Sequence, residues 1–253
     1  MLRLRQICLV APELNKSVAH LESVLGLKTC FHDPGVERFG LKNALLPIGT
    51  NFIEIVAPFQ EGPTAERYLQ RRNGPGGYMV IMQCDDVERR KERMRDLGVR
   101  LVTVIDNEPH HAIQMHPKDT GGAIMETGLD NRGSDPASPW TPAGDDWKNF
   151  VATEIVSSLT AAELQSDDPE KLASRWSEVL EVPLQKKDKI YSLQLENASL
   201  RFTQNKDGRG EGLRALDIAV NDRNELIRRA RIIGCDIDES SVHINGIYFN
   251  LLS

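Results

Sequence analysis

The 253-residue chain has only four cysteines, Cys8, Cys30, Cys84 and Cys235, widely spaced and without a C-x-x-C pair. This argues against a disulfide scaffold or a structural zinc knuckle and fits reduced thiols. There is no basic excess. Lys+Arg 31 against Asp+Glu 37 leaves a formal charge of -6, too little positive charge for nucleic acid to be the expected partner. No apolar run is long enough to cross a bilayer, and the mean hydropathy is -0.38, so no membrane span is expected. Met1 to Pro12 lacks the apolar stretch and small-residue cleavage site of a secretory signal, which makes cytoplasmic residence the expectation. Also missing are a G-x-S-x-G elbow, a Gly-rich phosphate loop ending in GK[ST] and an H-E-x-x-H pair. What remains is 40% hydrophobic and 27% charged, the balance of a globular protein, at about twice the commonest domain size.

One segment divides the chain. Leu129 to Asp146 reads LDNRGSDPASPWTPAGDD, where Pro136, Pro139 and Pro142 remove backbone donors and the Gly, Ser and Asp between them favour turns. We read it as a linker, 129–146, between domains at 1–128 and 147–253. Each half then repeats one pattern twice. An apolar strand leads to an Asp or Asn turn, an amphipathic helix, often a Gly stop, and further strands. The first strands are RQICLVA, YMVIMQC, AAELQS and ALDIAV, and Asp86 to Gly98 matches Asp222 to Gly234 in length. Asp or Asn before a helix and Gly just after it are the expected end signals. Behind the first helix the strand-like runs are LKTCF, ALLPIG and NFIEIVA; behind the second, VRLVTVI, HAIQMH and GAIMETG. The order is βαβββ, four times. One such unit leaves a sheet face bare, so units are expected to pair into open half-barrels in an α+β fold of two domains.

This repeat, with the hairpin HPKDTGGAIMETG from His116 to Gly128, resembles the vicinal oxygen chelate superfamily of glyoxalases, methylmalonyl-CoA epimerases, extradiol dioxygenases and bleomycin-resistance proteins. The resemblance implies ligand positions on the first and last strand of each unit. Here they hold Gln6, Met79, Glu54 and Glu126. The register agrees, since Gln6 and Met79 lie 73 residues apart and Glu54 and Glu126 lie 72 apart. A carboxylate on an apolar face is costly unless it is paired or bound to a cation. Gln6, Glu54 and Glu126 form the candidate metal set, with Glu54 and Glu126 as candidate catalytic groups. Met79 stands where the family has His and is not expected to be a ligand. In a regular strand Tyr78 points to the opposite face. Any divalent metal (Mg, Mn, Zn, Ni or Co) is expected to be held weakly or not at all. His110, His111 and His116 read as surface hairpin residues, the GPGG at 74–77 as a turn, and ERRKERMRD as a solvated helix face.

At the matching positions the second half has Ala161, Ala215, Arg201 and Asn250, and so no metal site; Arg201 reads as exposed. Two functions of different class follow. The first is a lyase or isomerase acting on a small carbonyl or thioester metabolite, in which a metal polarises an oxygen and Glu54 or Glu126 moves a proton. The second is a metal-free protein that binds or sequesters a small molecule. The expected partner is a small molecule, with no nucleic acid and no membrane, and a homodimer is possible. An extradiol dioxygenase is disfavoured, because the two histidines of its iron site are missing at the matching positions.

Overall fold

The structure is a computed structural model that describes residues 1–60, 62 and 64–252. The four units lie in chain order. The first is β1 (Leu2–Val10), α1 (Leu14–Leu25), β2 (Leu41–Ile48) and β3 (Asn51–Pro58), followed by α2 (Thr64–Arg72). The second is β4 (Gly76–Cys84), α3 (Val87–Asp96), β5 (Leu101–Asn107), β6 (His110–Met115), α4 (Pro117–Thr120) and β7 (Ile124–Asp130). The third is β8 (Val156–Ser166), α5 (Pro169–Leu180), β9 (Leu184–Lys187), β10 (Ile190–Gln194) and β11 (Ser199–Gln204). The fourth is β12 (Gly212–Val220), α6 (Arg223–Ile233), β13 (Asp236–Ile237), β14 (Ser241–Ile244) and β15 (Ile247–Leu252).

The helix starts follow from the sequence signals. Asp86, Asp168 and Asp222 each accept a hydrogen bond from the backbone N–H three residues on, at 2.9, 3.0 and 2.9 Å. Gly26 and Gly234 end α1 and α6 in the left-handed region.

Two local expectations fail. LKTCF is not a strand: only Phe31 forms a bridge, to Leu45, before the Asp33-capped turn at Pro34 carries the chain away. Beyond Gly74 the expected GPGG turn gives way to β4, which already includes Gly76 and Gly77. Helix α2, not anticipated at all, buries its own Ala65, Tyr68 and Arg72.

In each half, first strands pair antiparallel and each last strand lies parallel to its own first strand. The result is a seven-stranded sheet, β2-β3-β1-β4-β7-β6-β5, and an eight-stranded one, β13-β14-β15-β12-β8-β11-β10-β9. The helix-covered faces of both sheets belong to one hydrophobic core, running from Ile7, Val80 and Met125 to Leu164, Trp176 and Leu216. The halves approach closely there, since a Cβ on Gly77 would lie 2.5 Å from the Leu213 side chain. The charged face of α3 is correspondingly not all solvated. Arg90 is buried and donates to the Leu180 carbonyl oxygen at 2.7 Å. Among the described residues no helix is long and apolar enough to cross a membrane.

Candidate active site

The site forms on the other face of the first sheet, away from the helices. Strand pairing sets it out. Gln6 pairs with Ile81 and Cys8 with Met79, while Cys8 also faces Glu54 and Ile81 faces Glu126. Exchanging the two units maps Gln6 onto Met79, Cys8 onto Ile81 and Glu54 onto Glu126, the equivalence that the spacing implies. Gln6, Glu54, Met79 and Glu126 are all buried. Around them lie Cys8, Val10, Leu45, Phe52, Tyr78, Ile81, Trp140 and Trp147, which form a second apolar cluster separate from the main core.

A bulge in each first strand changes which side chains reach this face. Pairing slips between Leu4 and Gln6 on β1, and between Cys8 and Leu9 opposite Met79 and Gly77 on β4. The extra residues are Arg5 and Tyr78, again 73 apart. A bulge re-aims a side chain, and both turn inward beside their neighbours. Tyr78 therefore shares the inner cluster with Met79, correcting the opposite-face expectation. Arg5 is fully buried, with its guanidinium 5.2 Å from the Phe52 ring centroid, 5.4 Å from Trp140 and 5.6 Å from Trp147. It donates to the carbonyl oxygens of Thr50 (2.6 Å), Pro136 (2.5 Å) and Ser138 (3.1 Å).

The polar groups form a chain. Trp140 Nε1 donates to Gln6 Oε1 at 3.0 Å, Gln6 Nε2 donates to Glu54 Oε2 at 2.9 Å, and Asn43 Nδ2 donates to Glu54 Oε1 at 2.7 Å. On the far side, Gln114 Nε2 donates to Glu126 Oε2 at 2.7 Å. Burial pushes the Glu126 carboxyl up to about 7; the Gln114 amide opposes this and the charge of Glu54 adds to it. Burial also raises Glu54, against the hydrogen bonds from Asn43, Cys8 and Gln6. The Cys8 thiol between them is pushed well up by burial and by the Glu54 charge.

The segment 131–155 carries only two short 3-10 turns among the described residues, at Thr141–Ala143 and Trp147–Phe150. It lies across this inner face, with Trp140 and Trp147 buried in the cluster. Asp130 anchors it, receiving the Arg132 guanidinium at 2.9 and 2.8 Å and the Thr141 N–H and hydroxyl, both at 2.9 Å. His110, expected at the surface, is buried with its ring edge-on to Trp140 at 5.0 Å. It lies on β6 facing Asp130, and the segment closes over it. His111 and His116 do stay near the surface, His116 as the cap of α4.

A divalent cation does not fit these residues as they are arranged. Both oxygens of Glu54 already accept amide N–H groups, and the Gln6 carbonyl oxygen accepts from Trp140. The fourth position is a thioether, a poor donor for hard cations. Among the described residues no three His, Cys, Asp or Glu side chains come together as a cation site.

The second sheet repeats the geometry with other chemistry. Bulges fall at Thr160 and Arg214, Glu163 stands where Cys8 does, and Asp217 where Ile81 does. Arg201 faces Glu163 and Asn250 faces Asp217, as the spacing implies. Arg201 is not free at the surface. It is half-buried and forks onto Asp217, with Glu163 at 3.3 Å. Arg214 meets Glu163 at 3.3 Å and Asn250 donates to Asp217 at 2.7 Å. Ion pairs among Arg201, Glu163, Asp217 and Arg214 thus occupy the places that the first half gives to Glu54, Cys8, Ile81 and Tyr78.

A family model described as a glyoxalase-like domain matches residues 7–180. The chain belongs to this glyoxalase-like family. The match crosses the 131–155 segment and ends with α5. No curated protein sequence matches the chain. Among solved structures, a hypothetical protein from Staphylococcus aureus is similar over 100% of this chain and 99% of its own, at 14% identity and TM-score 0.71. A mutant of 4-hydroxymandelate synthase from Streptomyces coelicolor is similar over 98% and 91%, at 12% identity and TM-score 0.71. Methylmalonyl-CoA epimerase from Mycobacterium tuberculosis is similar over 50% of this chain and 87% of its own, at 26% identity and TM-score 0.45. The full-length likenesses are of fold. Together with the family match they bear out the expected α+β architecture of four repeated units in two glyoxalase-like domains, the first unit having one strand fewer than expected.

Proposed function

We propose that the first half, 1–128, is a glyoxalase-like acid–base site for a small carbonyl or thioester metabolite, joined by 129–146 to a second, degenerate domain at 147–253. Its chemistry is that of an isomerase or lyase. The observation that carries this is the pair Glu54 and Glu126: two buried carboxyls at equivalent places of the repeat, on one face, both raised by burial and Glu126 to about 7. A carboxyl that titrates near the working pH both takes and returns a proton efficiently. With two on one face, one can remove a proton from the carbon beside a carbonyl while the other returns it. The amides of Gln6, Asn43 and Gln114 hold the carboxyls in place and supply donors for an enolate oxygen.

The test is deuterium incorporation in D₂O at the α-carbon of a panel of CoA thioesters and α-hydroxy carbonyl compounds. The native protein should exchange at least one of them, and Glu54→Gln and Glu126→Gln should each slow exchange by about 10²-fold or more, the scale of a lost general base. Exchange unaffected by both changes would overturn the reading. A binding function without turnover is the second reading, favoured by the Trp140 side chain filling the inner face; ligand binding without exchange would select it.

Metal use is tested separately. Met79→His completes a Gln-Glu-His-Glu set if Gln6 and Glu54 exchange their amide and indole hydrogen bonds for a cation, and Zn²⁺ or Ni²⁺ binding, measured by calorimetric titration, should then tighten by about tenfold or more over the native chain. Equal affinities would mean that those hydrogen bonds keep the cation out.

A further inference from the structure

We infer that Trp140 occupies a ring subsite of the first half, and that this subsite takes a planar aromatic ligand carrying an N–H or O–H donor, of indole or phenol type. The proposal rests on the acid–base reading for what happens next to the ring, but not for the ring's own binding. Three features of the indole's surroundings are those of a ligand pocket. Its N–H meets the carbonyl oxygen of Gln6, whose amide N–H₂ meets Glu54, so a donor on the ring is one side chain away from a carboxyl. The Arg5 guanidinium stands 5.4 Å from the ring centroid, in reach for a cation–π contact, and is itself held by backbone oxygens. His110, 5% exposed, packs against the indole with the two ring planes 85° apart, and neither of its ring nitrogens has a hydrogen-bond partner. A buried imidazole with no partner is costly. A ligand with a polar substituent beyond the indole's outline would satisfy it, which Trp140 does not.

For a ligand to enter the ring subsite, the segment that carries Trp140 has to move aside. It pairs with no strand of either sheet, and side chains of the first sheet (Arg5, Asp130 and Arg3, the last on the Ser134 carbonyl oxygen) hold much of it by polar contacts. Trp140 is then an intramolecular competitor, and the apparent affinity for a free ligand is reduced by the fraction of time the segment is open.

The experiment uses indole and benzothiophene, rings of the same shape of which only indole has an N–H. Trp140→Gly should bind indole at least tenfold more tightly than the native chain by calorimetry, and benzothiophene at least fivefold more weakly than indole. In the native chain, millimolar indole should increase amide hydrogen exchange across 131–146. Equal binding of the two rings by a folded Trp140→Gly protein would overturn the proposal. Should that variant not fold, native exchange decides, and exchange unchanged by indole at its solubility limit would overturn it. Glu126→Gln should leave indole binding intact. Loss of α-carbon exchange with ring binding retained therefore sinks only the acid–base reading, and the converse result sinks only the ring subsite.

Discussion

Trp176→Ala is expected to lower stability by about 3–5 kcal/mol, the usual cost of emptying a fully buried tryptophan site, and to do so for both sheets together. Trp176 is inaccessible to solvent, its ring stands edge-on to Phe202 at 5.7 Å, and its Nε1 donates across to the Gly121 carbonyl oxygen of the first half at 3.3 Å. The neighbouring contact is equally close. A Cβ at Gly121 would lie 2.7 Å from Leu172, and one at Gly122 would lie 2.6 Å from Leu164. Trp176 therefore belongs to the third unit by sequence and to the junction by packing. Because one core runs through both sheets, a single unfolding transition should move to lower denaturant with its slope unchanged. The check is chemical denaturation followed both by fluorescence and by far-UV circular dichroism. Two separated transitions, with only one displaced, would show that the halves unfold independently and that the shared core does not couple them.

The fold was legible because it repeats. Spacing aligned Gln6 with Met79 and Glu54 with Glu126, and strand pairing reproduces that alignment residue for residue, in the second half as well. Period-two alternation then placed each side chain on a face, and it failed only where the strands are irregular. One extra residue at Arg5 and one at Tyr78 each turn a side chain to the inner face, and no residue type announces a bulge of this kind. The polar partners Asn43 and Gln114 lie on neighbouring strands, so long-range pairing brings them to the glutamates and local pattern cannot. Trp140 and His110 were hidden for a different reason. The Pro-rich stretch read as a linker and the polar hairpin as surface, yet each buries one ring against the other. The tryptophans in an otherwise polar stretch were the available signal, since large aromatic rings in a loop generally have something to cover. Arg201 was misread because its burial depends on Glu163 and Asp217, which reach it from β8 and β12, a long-range pairing that the local pattern of LRFTQ cannot show.

Glu126→Gln is expected to make the protein more stable than the native chain at high pH and no different at low pH, with the change falling between pH 4.5 and 7. The Glu126 carboxyl is buried and raised from 4.5 to about 7, with Glu54 contributing as a like charge. The folded chain therefore keeps a proton that the unfolded chain has released between these two values. Stability from this group is fully present below pH 4.5 and is lost as pH rises through 7. A difference of this size corresponds to roughly 3 kcal/mol at about 1.4 kcal/mol per unit. Glutamine has the same shape, can still accept the Gln114 amide hydrogen bond and cannot ionise, so the variant escapes the loss. Other titrations largely cancel in the difference between the two proteins. His110, lowered by burial to about 4, works in the opposite direction, its contribution present above 6.5 and lost as pH falls through 4, but it is common to both chains. Glu54 does not cancel completely, because removing the charge at 126 eases its own ionisation and adds to the gain. Urea unfolding of both proteins at pH 4, 5.5, 7 and 8.5 measures the difference directly. A gap that opens between pH 4.5 and 7 and then stays level places the protonated carboxyl at Glu126. A gap that is flat with pH would mean that Glu126 ionises at its ordinary value, in a site open to water.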